Sequence, residues 1–591
     1  MFELTKGGEF LIKPGGESIF TPEQFTDEQQ QFHKTAMDFT VNEVLPLVDR
    51  LEHKEPGLMR SLLHKAGKLG LLSVDIPERY EGLGLDKTTS LLTQEAMVFY
   101  GSWGVTVGAH CGIGTLPIVF FGNEEQKQKY LPKLSTAEWV AAYALTEAGS
   151  GSDALAAKTT ARLEGDHYVL NGVKQWITNA GFADVFVVFA KINGEAFTGF
   201  IVERTDPGVR IGPEEKKMGI RGSSTCELIL EEARIPKDRV LGEIGKGHRI
   251  AFGILNIGRL KLGVGAAGGA KNTLKLAVDY AKQRKAFGKT IAEFGMIRQK
   301  LGQMAMKIFV TESMAYRTSG LIDAYIATVP KSSTGYDLHV QKALEEYAIE
   351  CSILKVFGSE VLAYVVDEGL QIFGGYGYTE HFPIERVARD ARINRIFEGT
   401  NEINRMLIPG TALKRAVKGQ LPLMQFVEQV NAEIRDPDLI PMQLDGSRLG
   451  RERRCVELSK RIIAYVCSVA AAKYMTQLEE RQDLLAGLAD LMIDLYAMDS
   501  AVQRAGQNSA NFGVSRTAIQ RTMTNIFVHD AYDRIITNAR KLSASMAEDD
   551  ELDTMFRNIA RFAVVRPVNY FQGLEAIAKQ VLEDGGYRYP V

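Results

Sequence analysis

From about Thr21 to Leu134, apolar residues recur at spacings of three and four. Segments such as DEQQQFHKTAMDFTVNEVLPLVDRLE and EPGLMRSLLHKAGKLGLL therefore predict amphipathic helices. Near Val140 the period changes to two. HYVLNGVKQWIT, DVFVVFAKI, FTGFIVE and TCELILEEARI alternate as half-buried strands do, and Asn171-Gly172 and Asn193-Gly194 are expected to be turns between them. This compact antiparallel β unit ends near Val240. After Gly247 the helical period returns in IAFGILNIGRLKLGVGAAGGAKNTLKLAVDYAKQR and EFGMIRQKLGQMAMKIFVTESMAYRTSGLIDAY, with VPKSSTGYD as a polar loop. That block closes around Pro409-Gly410, and roughly 180 residues of further helical pattern follow, including ELSKRIIAYVCSVAAAKYMTQL and QLEERQDLLAGLADLMIDLYAMDSAVQ.

The chain of 591 residues is too long for one core, and its 45% hydrophobic and 24% charged residues are ordinary for a globular protein. A formal net charge of −3 leaves no electrostatic footprint for nucleic acid. Five widely spaced cysteines without a CxxC pair indicate neither zinc nor a disulfide framework, and they fit a reducing compartment. The stretch MFELTKGGEFLIKPGGESIF reads as neither signal nor transit peptide. The longest apolar run, Ile462 to Ala472, is about half the roughly 20 residues of a membrane span. A cytoplasmic location is expected, with peripheral attachment to the inner face of a membrane left open.

Several stretches carry candidate chemistry, each with a plainer reading beside it. LGVGAAGG contains a formal GxGxxG match at Gly263, Gly265 and Gly268, but no strand precedes it, so close helix packing is the better account. YALTEAGSGSD offers hydroxyls among glycines that let N–H groups approach an anion, or is a solvated loop. KQWITNAG sets Trp176 and Thr178 on one face of a strand, which suits either a core or a planar heterocycle. RKAFGK closes a long helix with an arginine that could grip pyrophosphate or simply complement the helix terminus. QIFGGYGYTE is a Gly-rich helix end or a close approach to a ligand. RIFEGTNEINR places one carboxylate, Glu398, between Phe397 and Gly399.

In this order, YALTEAGSGSD, KQWITNAG, RKAFGK, QIFGGYGY and FEGTNEINR closely resemble the acyl-CoA dehydrogenase family over roughly residues 25 to 412. The extra helical region narrows the resemblance to the very-long-chain subfamily. It implies an α+β fold: an N-terminal segment (1–24), an N-terminal α-helical domain (25–139), a middle antiparallel β-barrel domain (140–246), a C-terminal four-helix bundle (247–412) and an additional α-helical domain (413–591). FAD is the implied cofactor. Matching positions give Tyr143, Leu145, Thr146, Gly151, Ser152, Trp176, Ile177 and Thr178 to the flavin, with Thr400 and Glu402 around the diphosphate. Arg284, Phe287 and Phe294 match further cofactor-contacting positions, with the adenosine and pyrophosphate reaching a neighbouring subunit, and Gln371, Gly374 and Gly375 match that subunit's contribution. Ser152, Asn256, Arg259 and Gly399 match substrate-binding positions, and Glu398 matches the catalytic base. Gly295 replaces a glutamine of medium-chain members. Some branches carry the base immediately before the arginine, where this chain has Gly258.

The resemblance implies FAD-dependent α,β-dehydrogenation of long-chain acyl-CoA in β-oxidation, with electrons passing to an electron-transfer flavoprotein. Such chemistry needs a carboxylate made basic by desolvation. The Gly- and Ala-rich SWGVTVGAHCGIG, Ser102 to Gly114, leaves room for a long acyl tail. The extension carries no visible chemistry. Its apolar stripes call for intramolecular packing or for a membrane surface touched by basic residues such as Arg451 to Arg454, and the subfamily resemblance implies that it packs where a second dimer would sit, favouring a homodimer. An oxygen-using acyl-CoA oxidase and a respiratory-complex assembly protein that keeps the fold are the alternatives.

Overall fold

The computed structural model describes residues 4–13, 18–440 and 449–588; parts of the expected N-terminal segment, and the 441–448 stretch of the extension, lie outside these. Helices Asp27–Phe39, Leu58–Lys68, Lys87–Met97 and Gly101–Gly108 build the first layer. Side-chain caps start several of them: Thr26 accepts from the Gln29 N–H, and Asp86 from the Thr89 N–H. Helix Gly101–Gly108 runs on as a π-helical turn, Ala109–Gly114.

The middle region is one sheet of eight strands: β1 (Ala141–Ala144), β2 (Thr160–Glu164), β3 (His167–Thr178), β4 (Val185–Ile192), β5 (Ala196–Glu203), β6 (Val209–Ile211), β7 (Thr225–Pro236) and β8 (Val240–Leu241). The main path is β6-β7-β3-β2-β4-β5-β8, with β1 paired to β4. Most pairings are antiparallel as expected, but β4 is parallel to both β1 and β2, so the sheet is mixed. Asn193-Gly194 is the β4–β5 turn. Asn171-Gly172 is not a turn. It lies inside β3 at a shift of register against β7, because the Asn171 amide exchanges hydrogen bonds with Glu232 while a Cβ on Gly172 would strike Thr159 at 2.3 Å.

Helices Gly247–Gln283, Gly295–Ile326 and Ala348–Phe373 form the bundle against which the sheet and first layer pack. The rejected dinucleotide motif lies mid-helix in Gly247–Gln283. A Cβ on Gly263 would fall 2.4 Å from Leu354, and one on Gly268 2.6 Å from the Glu95 carbonyl. Among the described residues two helical stretches, Gly101–Phe121 and Gly247–Gln283, are long and apolar enough to cross a membrane, unlike the shorter Ile462 to Ala472 run; both are mostly buried in the protein. The extension packs helices Gly450–Tyr474, Gln482–Phe512 and Ala518–Ala544 against this bundle, and the Ile462–Ala472 run is largely interior.

Because Gly263 lets two long helices touch, Gly263→Val is expected to cost about 1–3 kcal/mol through overpacking. Thermal unfolding checks it, and an unchanged Tm would contradict the close-packing account.

Candidate active site

Glu398 sits in a turn between short helical residues Arg392–Arg395 and helix Asn401–Val417. Its φ is +58°, a left-handed conformation costing roughly 1–2 kcal/mol for an L-residue, and Gly399 follows at +76°. Two clamps hold the turn. Arg259 Nε donates to the Glu398 carbonyl at 3.3 Å, and Asn404 Nδ2 donates to the Gly399 and Thr400 carbonyls at 2.8 and 3.0 Å. Thr400 caps the following helix by accepting from the Ile403 N–H.

The residue as a whole is half-buried, yet Oε2 touches no solvent and has no hydrogen-bond partner among the described residues. Burial raises the carboxyl from the ordinary 4.5 to about 7, against the pull of Arg259 and Lys355. A Cβ on Gly258 would lie 2.3 Å from that Oε2. Glycine at 258 and a carboxylate at 398 are thus coupled choices, since both positions reach one small space. Tyr143, half-buried, lies close enough for the Glu398 charge to oppose its ionisation, although desolvation is the larger cause.

Glu398 and Thr178 line the same cavity, of about 400 Å³. One wall is a stripe on the long helix: Gly258, Lys261, Leu262, Gly265, Ala266, Gly269, Asn272 and Leu276. The facing wall uses Gly101, Gly104, Gly108 and Gly112. In SWGVTVGAHCGIG, then, three of the four glycines (Gly104, Gly108 and Gly112) face the cavity. Trp103 turns away into the first-layer core against Phe39.

The other candidate residues fall into two groups. Thr146, Gly151 and Ser152 stand on the loop between β1 and β2, and Trp176 and Thr178 on β3. Trp176 is 57% exposed at φ +60°, unusual for a strand tryptophan, and open space surrounds Gly151. Leu145 and Ile177 are buried in the cores, which leaves only their backbones for a ligand. Glu147, within the quoted loop motif but not singled out, ties the loop to β3 by accepting from Lys158 N–H, Thr159 N–H and the buried Lys174 ammonium. Glu402 is an exposed carboxylate in the first turn of its helix, so its own charge occupies part of that terminus. The second group gathers at the far end of the long helix. Arg284 lies over the Tyr376 ring, Phe287 meets Phe294 edge-on, and Phe373 stacks on Tyr280, with Gln371, Gly374 and Gly375 adjoining. Phe287 is 95% exposed at φ +52°. Asn256 and Arg259, expected at the substrate, are buried and bonded to each other at 3.0 Å beneath the Glu398 turn. Among the described residues no cluster of His, Cys, Asp and Glu could hold a metal ion.

Lys355 and Asn401 were missed from sequence. The available signal was a lysine interrupting the apolar run CSILKVFGSEVLAYVV, and Lys355 is fully buried.

Matches to known proteins cover nearly the whole chain. Residues 26–138, 142–233 and 245–412 match the acyl-CoA dehydrogenase N-terminal, middle and C-terminal domains, and 458–561 matches a further domain described as acyl-CoA dehydrogenase, C-terminal. A probable acyl-CoA dehydrogenase of Bacillus subtilis is 47% identical over 99% of each chain. The mitochondrial very long-chain specific acyl-CoA dehydrogenase of Bos taurus is 36% identical over 88% of this chain and 80% of its own. The solved acyl-CoA dehydrogenase of Bacillus anthracis, complexed with FAD, superposes with a TM-score of 0.97 at 48% identity, covering 99% of this chain and all of the other. The fold, the desolvated carboxylate and these matches together show that the chain belongs to the acyl-CoA dehydrogenase family.

Proposed function

We propose that this protein is an FAD-dependent dehydrogenase that removes the α-proton and β-hydrogen of long-chain acyl-CoA thioesters, giving trans-2-enoyl-CoA. The observation that carries the reading is the buried, unpartnered Oε2 of Glu398 at the end of an apolar cavity. At pH 7–8 a carboxyl raised to about 7 is substantially ionised, yet more basic than an exposed glutamate. It is the proton acceptor for C2. The turn's strained conformation and its Arg259 and Asn404 clamps fix where that oxygen stands. The backbone N–H of Glu398 is the donor for the thioester carbonyl, and Gly399 admits the chain.

The residues around this cavity and on the neighbouring loop suit FAD: an exposed indole at Trp176, Thr178 on the base's own cavity, and open backbone at Gly151. Bound there, FAD supplies the two-electron acceptor for the β-hydrogen. Arg284 stands 26 positions from Gly258 along one helix, about 39 Å at 1.5 Å per residue. No single cofactor touches both groups within one chain, so Arg284, Phe287, Gln371, Gly374 and Gly375 serve a neighbouring copy, and the exposed Phe287 and Tyr378 are covered there. A homodimer with shared cofactor sites, working in the cytoplasm and reoxidised by an electron-transfer flavoprotein, completes the reading.

Chain length follows from the cavity stripe. Gly258 to Leu276 spans 18 positions, about 27 Å. Two acyl layers make a bilayer core of about 30 Å, so one long chain needs about 15 Å when fluid. Turnover is therefore expected to be at least tenfold better with C16 than with C4 acyl-CoA. Gly108 faces the cavity with nothing nearer than 3.6 Å to a built Cβ. Gly108→Phe is expected to remove most C16 activity while sparing C4; equal loss of both would contradict the tunnel assignment.

The raised carboxyl also has a stability consequence. Its folded-state pKa of about 7 lies above the ordinary 4.5, so the stability it contributes below pH 4.5 is lost as pH rises towards 7. Glu398→Gln removes that penalty. At pH 8 the variant is expected to be up to about 3 kcal/mol more stable than wild type, with the gap closing below pH 4.5. Denaturant unfolding across pH measures it, and parallel pH curves would contradict the buried-charge account.

A further inference from the structure

Lys355 lies within helix Ala348–Phe373, fully buried, with its Nζ 2.7 Å from Asn401 Oδ1. Asn401 is the first residue of the helix that leaves the Glu398 turn, and its Nδ2 donates to Ser359 Oγ at 3.1 Å and Glu360 Oε1 at 3.0 Å. Arg405 joins Glu360 at 2.8 Å and also bonds Asp490 of the extension at 2.8 Å. The turn is therefore held by Arg259 and Asn404, and the first residue of the helix that leaves it by a polar chain that starts at a buried ammonium.

We propose that Lys355 is a positioning residue for the reaction: it anchors the Asn401 end of the turn and sets a second cation beside the Glu398 carboxylate. This rests on the reading of Glu398 as the base. The cost of burying an ammonium supports a functional reason for keeping one, since a methionine of similar length would fill the same space without desolvating a charge. Charged and titratable groups facing Lys355 are Glu398, Arg259, Glu402 and Glu360. Those facing Glu398 are Arg259, Lys355 and Tyr143, with Cys351 beside Arg259. Burial lowers Lys355 to about 7, partly offset by Glu398. Its positive form favours the ionised base, so removing it pushes the Glu398 titration upward.

The test compares Lys355→Met, Lys355→Gln and Lys355→Arg as FAD-loaded full-length proteins, following kcat/KM for palmitoyl-CoA against pH. Gln keeps a donor for Asn401 without the charge; Arg keeps the charge. In Met and Gln the acid limb is expected to move upward by on the order of one pH unit, with kcat falling tenfold or more and KM little changed. In Arg the limb is expected to stay within a few tenths of wild type. Should Met fail to fold, the Gln and Arg profiles decide. A Gln limb that coincides with wild type, or an Arg limb that moves as far as Gln, overturns the proposal. Glu398→Gln run alongside separates the two readings: an active Glu398→Gln removes the base itself, whereas an inactive one with an unmoved Lys355→Gln limb removes only the role of Lys355.

Discussion

The chemistry we propose for this protein depends on keeping one carboxylate out of water. Glu398 achieves this because position 258 has no side chain, and because the turn accepts a left-handed residue that aims the carboxyl into the vacated space. Neither feature is stable alone. An unpartnered buried oxygen and a positive φ each cost of the order of a kilocalorie or more, so the neighbouring helices must over-determine the geometry. Arg259, Asn404 and Thr400 do so by bonding backbone within six positions of Glu398, and Asn401 ties the helix that follows to the buried Lys355. Positive φ recurs at Trp176 and Phe287, whose side chains, unlike the Glu398 carboxyl, point out of the core.

The extension joins the same frame through charge as well as apolar packing. Arg504 pairs with Glu312 and Glu23 at 2.7 Å, and Arg317 pairs with Asp499 at 2.8 Å, all buried. Lys271, on the helix that lines the cavity, bridges Glu95 and Glu312. Buried ion pairs of this kind add little net stability over apolar packing, but a broken one is costly, so they fix how helices seat against each other. The extension's stripes are thus largely satisfied within the chain. Val417, Met424, Met475 and Phe571 remain among its exposed apolar side chains.

Much of this was legible in the sequence. The change of period at Val140 and back at Gly247 located the β unit, because side-chain direction repeats every 2 residues in a strand and every 3.6 in a helix. The order of the five motifs picked out Glu398 and Thr178, which the structure brings to one cavity. Periodicity could not show which face of SWGVTVGAHCGIG meets the cavity, since glycine and tryptophan both read as apolar. Asn171-Gly172 carried a turn signal but sits in a bulge, where Thr159 and Glu232 decide the outcome through contacts distant in sequence. Lys355 was hidden for the same reason: its partner lies 46 positions away.

The central claim is that Glu398, and no other group, takes the proton that lets substrate electrons reach the flavin. Anaerobic titration of the purified protein with palmitoyl-CoA, followed by flavin absorbance beside Glu398→Gln, tests it directly. Bleaching of the wild type with none in the variant is the predicted result. A wild type that carries no flavin, or equal bleaching in both proteins, would contradict the account.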